Sequence, residues 1–304
     1  MEHLFIVNPV AGGKDNTDRI YALALSAFAQ SKESFELYRT VGPHDAEAKV
    51  RQIAETGVNT RIYACGGDGT FNECVNGAAG CETIALAPVP IGTGNDFCRM
   101  FGAESSLYLD FPSLLHGTTH KIDLISVKGR YSACICSVGV DARVGTNVHN
   151  YTSLPFCSGG GAYIASAVVE LLKGITRPMK LTCGDFLYNG EVTLCCVCNG
   201  RFYGGGFNPS PDAMPDDGIL DIYFVRNMTL LQVATAIGKY AKGRADEFPQ
   251  YITHLKGDRI TIEFAEEDVI HADGETIRAN KADIRLVPQA LNLILPEGLT
   301  FFSH

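Results

Sequence analysis

Apolar and polar positions alternate along the first 120 residues in a regular order of strands and helices. Three apolar runs each end in a turn that contains glycine: Leu4–Val7 before Gly12, Arg61–Cys65 before Gly66, and Thr83–Pro90 before Gly92. Between them, Phe35–Thr40 alternates like a strand, and 46–55 has helical spacing. This order predicts a mostly parallel, helix-flanked sheet, whose ligands bind at the carboxyl ends of the strands. Because all three turns follow strands, we expect them to converge on one crevice.

The pattern changes near residue 121. Short alternating strands dominate from there on: 124–127, 132–137, 191–194, 220–225 and 259–264. Helical spacing interrupts them near 161–173 and 230–242. The last strand-like runs, 282–287 and 291–295, either end this region or return to the first one, and the sequence leaves both open. The region is expected to form a mainly antiparallel β-domain.

Length and composition agree with two folded domains. At 304 residues the chain exceeds the size that one core usually serves. We expect an α/β domain over 1–122, to which 290–304 is a candidate addition, and a β-rich domain over 123–289. A hydrophobic content of 46% with 19% charged residues is that of a folded protein, and the net charge of −9 argues against nucleic acid as a partner.

Targeting signals and membrane spans are not apparent in the sequence. The N-terminus lacks a basic region, and no apolar segment approaches the roughly 18 residues that cross a bilayer. We therefore expect a cytoplasmic protein whose contact with a membrane is peripheral. The 11 cysteines lack a framework spacing, and several lie in strand-like runs, which favours buried thiols in a reducing compartment.

The stretch from Tyr63 to Glu73 has the strongest chemical signal. A strand, a turn rich in glycine (66–70) and a short helix closed by Gly77 form the geometry in which backbone N–H groups face a phosphate. Asp68 would repel a phosphate unless a cation lies between them, so it is a candidate Mg²⁺ ligand. An ordinary turn between strand and helix, with Asp68 as a cap, explains this stretch equally well.

Two further motifs make the pattern specific. Gly92-Thr93-Gly94-Asn95-Asp96 follows the third run, and Asp273-Gly274-Glu275 lies far downstream. Together with Asn8-Pro9 and the glycine-rich segment 199–206, the chain resembles the catalytic domain of the diacylglycerol kinase family, which also includes sphingosine and ceramide kinases. The resemblance is nearest to the soluble bacterial members and covers essentially the whole chain.

The resemblance implies a fold and an ATP site. The first domain would be of the phosphofructokinase/NAD-kinase type, with a mostly parallel sheet, and the second a β-sandwich, with ATP bound between them. The residues expected around ATP are Asn8, Thr40, Gly66, Gly67, Asp68, Gly69, Thr70, Glu73, Gly92, Thr93, Gly94 and Asn95.

The resemblance also implies catalytic and metal-binding residues. Asp273 would be the general base for the lipid hydroxyl, with Glu275 beside it; without the resemblance, Asp-Gly between strands indicates a hairpin turn. Mg²⁺ would bridge phosphate oxygens to Asp68 and Asp96. Asp216 would join the water-mediated network of this site. A structural cation would bind Asp217 and the backbone carbonyls of Met214 and Ile219, although a solvated turn also explains these two aspartates.

We therefore predict a lipid kinase that uses ATP and Mg²⁺. Its partners would be ATP and a hydroxyl-bearing membrane lipid, with diacylglycerol as the first candidate; a homodimer is left open. Two alternatives remain: a kinase of another lipid or a small alcohol, including the NAD kinase reaction, and a non-catalytic nucleotide- or lipid-binding regulator. Against the regulator, Asp68, Asp96, Asp216 and Asp273 are all present.

Overall fold

The computed structural model describes residues 1–29, 31, 33–147 and 174–302. These residues form two compact units. Unit 1 comprises Met1–Leu124 and Val287–His304, and unit 2 comprises Ile125–Leu286. The helical stretch expected near 161–173 lies outside the described residues. Assignment of ATP to one unit and of lipid to the other stays a prediction.

The order of secondary structure follows the predicted change of pattern. The strands are β1 Glu2–Val7, β2 Phe35–Arg39, β3 Thr60–Gly66, β4 Ile84–Pro90, β5 Thr118–Val127, β6 Arg130–Ser132, β7 Ile135–Gly139, β8 Arg177–Cys183, β9 Phe186–Cys198, β10 Leu220–Arg226, β11 Ile252–Gly257, β12 Arg259–Ala272 and β13 Glu275–Leu295. The α-helices are α1 Thr17–Phe28, α2 Asp45–Thr56, α3 Asp68–Ala78, α4 Asp96–Arg99, α5 Phe111–Leu115, α6 Val140–Asn147 and α7 Leu230–Tyr240. Short 3₁₀ segments lie at Ala11–Gly13, Gly102–Leu109 and Ala245–Glu247.

Unit 1 is built on strands that run parallel. β1 lies between β2 and β3, β3 pairs with β4, and the end of β13 pairs with β4 at Asn292 and Leu293. The last run of the chain therefore returns to the first region, one of the two alternatives that the sequence left open. β3 is buried along its whole length, as expected for a strand covered on both faces. Phe5 and Tyr63 stack in this core with ring centroids 4.4 Å apart.

Helix α3 differs from its prediction at both ends. The expected glycine turn over 66–70 is wrong in part, because Gly66 ends β3 and the helix already begins at Asp68. Gly77 does not close the helix but lies inside it. A Cβ on Gly77 would meet the Glu47 carbonyl oxygen at 2.8 Å and the Val50 side chain at 2.7 Å. The glycine therefore allows α3 to approach α2 closely.

Unit 2 is mainly antiparallel, as the sequence predicts. β7 pairs with β9 and β12, β10 pairs with β9 and β11, and β8 pairs with β9 and β12, all antiparallel. One face of this sheet forms an apolar core that includes Cys136, Cys195, Phe224 and Ile262. The cysteines of the described ranges are free thiols, and most are buried.

One predicted strand of unit 2 is interrupted. The run 132–137 is divided between β6 and β7, because the N–H groups of Ala133, Cys134 and Ile135 bind the side chain of Asp273 instead of a neighbouring strand. Asp273 itself occupies the hairpin between β12 and β13. Both Asp273 and Gly274 have positive φ angles, 43° and 96°, as a type I′ turn requires.

None of the helices in the described ranges is long and apolar enough to cross a membrane.

Candidate active site

The three glycine-containing turns of unit 1 meet, as the sequence predicts. The amide of Asn8, after β1, donates a hydrogen bond to Thr70 Oγ1 at the start of α3, 3.0 Å away. A Cβ on Gly12 would overlap the carbonyl oxygen of Ile91, so the first turn also touches the third. The ends of three neighbouring parallel strands thus bring polar side chains and backbone N–H groups to one place.

Asp68 joins the second turn to the third. Its carboxylate accepts hydrogen bonds from the backbone N–H groups of Asn95, at 2.7 Å, and Asp96, at 2.5 Å. Asn95 has a positive φ of 55°, which directs these two N–H groups toward Asp68. The sequence presented Asp68 either as a metal ligand or as a cap. The structure gives it a capping role at α4, and a carboxylate retains lone pairs for a cation beside these bonds.

The glycines of the motifs serve two different purposes. Cβ atoms on Gly66, Gly92 and Gly94 would overlap Thr70, Gly67 and the Asp68 carboxylate, respectively. These glycines let the turns pack on each other, and Gly67 lies in the same contact. Gly69 differs, because nothing in the described chain lies within 4 Å of its missing Cβ. Among the glycines of these two motifs, Gly69, in the first turn of α3, leaves open space in which a phosphate can approach the backbone.

Three residues expected near ATP are Glu73, Thr40 and Thr93, and the first two bind other parts of unit 1. The Glu73 carboxylate accepts the N–H groups of His44 (2.8 Å) and Ala46 (3.1 Å), and thereby binds the N-terminal end of α2. Thr40 is buried, and its N–H and hydroxyl both bind the Val7 carbonyl. Thr93 is exposed. Thr40 and Glu73 thus support the strand ends and helices around the turns, and their contact with a nucleotide stays a prediction.

The residues near Asp68 fit a magnesium ion that arrives with a nucleotide. The described residues hold no group of three or more His, Cys, Asp or Glu side chains able to form a metal cage. Mg²⁺ commonly uses one or two carboxylates and completes its shell with water and substrate phosphates. Asn95 Oδ1 is buried and has no hydrogen-bond partner in the described structure, whereas its amide nitrogen donates to the Gly92 carbonyl at 2.8 Å. A metal-bound water or a nucleotide hydroxyl would supply the missing donor.

In unit 2, Asp273 is held by a ring of backbone donors. Its Oδ2 accepts the N–H groups of Ala133 (2.7 Å) and Cys134 (2.9 Å), and its Oδ1 accepts that of Ile135 (2.9 Å). Burial raises the pKa of Asp273, and these N–H donors oppose that rise by stabilising the ionised form. The hairpin and the positioned carboxylate are thus compatible, and the carboxylate has a fixed orientation.

The glycine-rich segment 199–206 supports this arrangement. The buried amide of Asn199 donates to the carbonyl of Ala133 (2.9 Å), and the N–H of Asn199 donates to the carbonyl of Cys134 (2.8 Å). Both bonds hold the segment whose N–H groups bind Asp273. Glu275, the other predicted catalytic residue, lies 3.7 Å from the guanidinium of Arg130. Its role in catalysis stays a prediction.

The predicted structural cation site lies in a turn before β10. Asp217 Oδ1 accepts the N–H of Ile219 at 2.9 Å, which is a common turn contact. Met214 is held through its sulfur by Arg201, 3.2 Å away. These contacts leave the assignment of Asp216 and Asp217 to cations a prediction.

Sequence reasoning missed Asp141, at the start of α6. Burial raises the pKa of Asp141 to about 6, although hydrogen bonds from the Ala142 N–H and from the Ser137 and Tyr203 hydroxyls oppose the rise. A buried carboxyl with a shifted pKa indicates a candidate functional residue. The only sequence signal is its place directly after an apolar strand.

Family models match both parts of the chain. The diacylglycerol kinase catalytic domain matches residues 2–127, and the YegS C-terminal NAD kinase beta sandwich-like domain matches residues 134–295. Two curated relatives named "Probable lipid kinase YegS-like" are similar. The one from Stenotrophomonas maltophilia is 29% identical over 84% of both chains. The one from Shewanella frigidimarina is 25% identical over 78% of this chain and 76% of its own.

A solved structure agrees with these matches. A diacylglycerol kinase candidate from Bacillus anthracis str. Sterne superposes with a TM-score of 0.75 and 28% identity, over 98% of this chain and 96% of its own. The similarity thus extends over both units. The chain belongs to the YegS-like lipid kinase family, whose members join a diacylglycerol kinase catalytic domain to a β-sandwich-like C-terminal domain.

Proposed function

We propose that this protein transfers the γ-phosphate of ATP to the hydroxyl of diacylglycerol and so produces phosphatidic acid. The observation that carries the proposal is the meeting of three turns at the ends of parallel strands, with Asn8, Thr70 and Asp68 linking them. Phosphoryl transfer asks a protein mainly for positioning and for neutralisation of charge. The first turn of α3 has backbone N–H groups without partners inside the helix, and such a helix start suits a phosphate.

In this proposal the triphosphate lies against the first turn of α3, where Gly69 leaves open space. Mg²⁺, when bound, would neutralise phosphate charge, with the carboxylates of Asp68 and Asp96 as its protein groups. The Asn95 amide oxygen would accept a hydrogen bond from the nucleotide or from a metal-bound water. Further from the reaction, Asp216 would join the water network. Asp217, with the carbonyls of Met214 and Ile219, would hold a structural cation.

Asp273 is proposed as the general base. The backbone donors of 133–135 hold its carboxylate in one orientation, so that a free lone pair can accept the proton of the lipid hydroxyl. The hydroxyl oxygen then attacks the γ-phosphorus, the bond to the bridging oxygen of ADP breaks, and the proton stays on Asp273. Its raised pKa makes it a stronger base than an exposed aspartate would be.

We further propose that the protein works in the cytoplasm, in peripheral contact with the membrane that supplies the lipid, and that its product enters phospholipid biosynthesis. The direct test is transfer of labelled γ-phosphate from ATP to diacylglycerol in mixed micelles containing Mg²⁺. Labelled phosphatidic acid is expected. If a different lipid of a total lipid extract is labelled instead, that lipid is the acceptor and diacylglycerol is not. If no lipid is labelled, the proposal is overturned.

A further inference from the structure

Near the amino end of its parallel sheet, unit 1 contains a buried arginine. Arg61 is the second residue of β3, and only 9% of it is exposed. Its Nη1 donates a hydrogen bond to the carbonyl of Leu115 (2.8 Å), and its Nη2 donates to the carbonyl of Gly117 (2.5 Å). A guanidinium has five N–H donors, so three are left beside these two bonds, including the Nε–H.

The charge of Arg61 has no full counter-charge in the part of the chain that the structure describes. Both of its hydrogen-bond partners are backbone carbonyls near the end of α5, which carry only partial negative charges, and it forms no ion pair with a described carboxylate. Arginine is rarely buried unless it is paired, because a charge loses its hydration on burial. A carboxylate ligand supplies such a partner, since it accepts two parallel N–H groups of a guanidinium.

Arg61 lines a cavity of about 380 Å³ at this end of the sheet. Among the described residues of the cavity wall, Glu82 is the only other one with a charged side chain. Glu82 is 73% exposed, and its carboxylate already pairs with Lys121, 2.8 Å away. The side chains therefore leave one positive charge to be balanced, which matches a monocarboxylate better than a phosphate dianion.

A second polar side chain lines the same cavity, across a small residue. Ala85 of β4 pairs in register with Arg61 of β3 on one side and with Asn292 of β13 on the other. Neighbouring strands are about 4.8 Å apart, so the Ala85 methyl leaves a gap about 10 Å wide between the Arg61 and Asn292 backbones. The Asn292 amide nitrogen donates to three backbone carbonyls at 3.1 to 3.3 Å, which leaves its Oδ1 as an open acceptor.

We propose that this cavity binds a small hydroxy carboxylate. The ligand's carboxylate accepts two N–H groups of Arg61, and its hydroxyl donates to Asn292 Oδ1. The inference goes beyond the proposed function and does not depend on it. The cavity and the glycine turns lie at opposite ends of β3, because Arg61 and Gly66 are five residues, or about 17 Å, apart along the strand. ATP and the carboxylate should therefore bind at the same time.

Glycerate, a three-carbon hydroxy carboxylate, is the probe. Its titration is followed through the Nε–H resonances of the arginine side chains by proton–nitrogen NMR, with ATP and Mg²⁺ present to occupy the turns that are predicted to bind phosphate. We expect the Arg61 resonance to shift with a dissociation constant of about 1 mM, since one charge-assisted pair and one hydrogen bond hold the ligand. Glycerol, which lacks a carboxylate, should cause no shift. Propionate, which lacks the hydroxyls, should bind about 2- to 10-fold more weakly.

Arg61→Gln tests the proposed partner of the carboxylate. It removes the positive charge and should weaken glycerate binding at least about tenfold. Arg19→Gln is the matched control, because Arg19 is exposed on α1 and the substitution removes the same charge. The control should bind glycerate as the wild-type protein does.

Ala85→Asp tests the site while Arg61 stays in place. The new carboxylate lies one strand away from Arg61 in register, so it supplies the counter-charge inside the cavity and should abolish glycerate binding. Ala85→Asn has a side chain of nearly the same size without the charge. The melting temperature of Ala85→Asp should exceed that of Ala85→Asn, because only the aspartate forms an ion pair with Arg61.

The outcomes decide this inference separately from the kinase proposal. Absence of a shift at Arg61 in the wild-type protein would overturn it, as would unchanged glycerate binding in Arg61→Gln or in Ala85→Asp. Equal melting temperatures of the two Ala85 variants would contradict an unbalanced charge on Arg61. Tighter binding of inorganic phosphate than of glycerate would exclude a carboxylate as the ligand. Phosphate transfer to a lipid enters none of these measurements, so its failure leaves the cavity assignment unaffected.

Discussion

Replacement of Asp273 by asparagine separates the chemical role of its carboxylate from its structural role. The carboxylate accepts three backbone N–H groups, two at Oδ2 and one at Oδ1. Asparagine keeps one acceptor oxygen and places an NH₂ group where the other oxygen stood. In either orientation of the amide, at least one N–H of residues 133–135 then faces a donor.

The cost to stability follows from these contacts. A hydrogen bond to a charged group contributes about 1.5–3 kcal/mol, so loss of at least one should lower the free energy of unfolding by about that amount. A protein of ordinary stability, about 5–15 kcal/mol, stays almost fully folded after this loss. Unfolding therefore cannot account for a large decrease in turnover at 25 °C. Removal of a general base should lower kcat by at least about 10²-fold.

Three measurements test this reasoning on the same variant. They are urea denaturation followed by circular dichroism, ATP binding by titration, and transfer of labelled phosphate to diacylglycerol. Asp185→Asn is the matched control, because Asp185 is exposed in another hairpin turn, between β8 and β9. We expect normal ATP binding in both variants and loss of transfer only in Asp273→Asn. Near-normal kcat would remove Asp273 from the role of base, and unchanged stability would contradict the importance of its backbone bonds.

Three further changes have distinct expected outcomes. Asp68→Ala removes both hydrogen bonds between the second and third turns, so it should lower the free energy of unfolding by at least about 1.5–3 kcal/mol. It should also weaken the binding of ATP in the presence of Mg²⁺. Unchanged stability in a urea titration would contradict the linking role of Asp68. Gly94→Ala places a Cβ against the Asp68 carboxylate and should lower the melting temperature. In Gly69→Ala the new Cβ meets open space, so the melting temperature should not change and only ATP binding should weaken. Equal melting temperatures for the two variants would refute this difference. Asp141 has a pKa of about 6 in the folded protein and an ordinary value of 3.8 in the unfolded chain. Between these two pH values the folded protein keeps the proton that the unfolded chain releases. The free energy of unfolding therefore falls by about 3 kcal/mol as the pH rises from below 3.8 to above 6. Asp141→Asn should lack this fall, and parallel stability–pH curves for the two proteins would exclude the shift.

Local sequence patterns predict much of the fold and the meeting of the three glycine turns in unit 1. The apolar runs that became β1, β3 and β4, and the helical spacing that became α2, can be identified from sequence because burial on one or both faces imposes its own period. Convergence of the three glycine turns also follows from sequence, since parallel strands end at one edge of their sheet. The start of α3 at Asp68 was not foreseen, because a glycine pair usually indicates a turn, and here it lets two turns pack.

Other features depend on contacts that are distant in sequence. The run 132–137 has the pattern of one strand, yet it is interrupted because Asp273, about 140 residues later, binds its N–H groups. Glu73 is predicted near ATP, and the sequence did not indicate that both of its carboxylate oxygens bind the start of α2. A polar side chain with several possible partners forms hydrogen bonds with those that the packing of strands and helices places within reach. The periodicity of the sequence does not show which partners these are.

The sequence by itself determined the order of strands and helices, the glycine motifs and the carboxylates available for phosphoryl transfer. These depend on residue type and on short spacings, which act within one strand, turn or helix. Only the tertiary structure decided that Asp68 joins two turns, that 133–135 orient Asp273, and that the Tyr203 hydroxyl binds the carboxyl of Asp141. Each of these depends on hydrogen bonds or burial between segments far apart in the chain, which exist only after the sheets have formed.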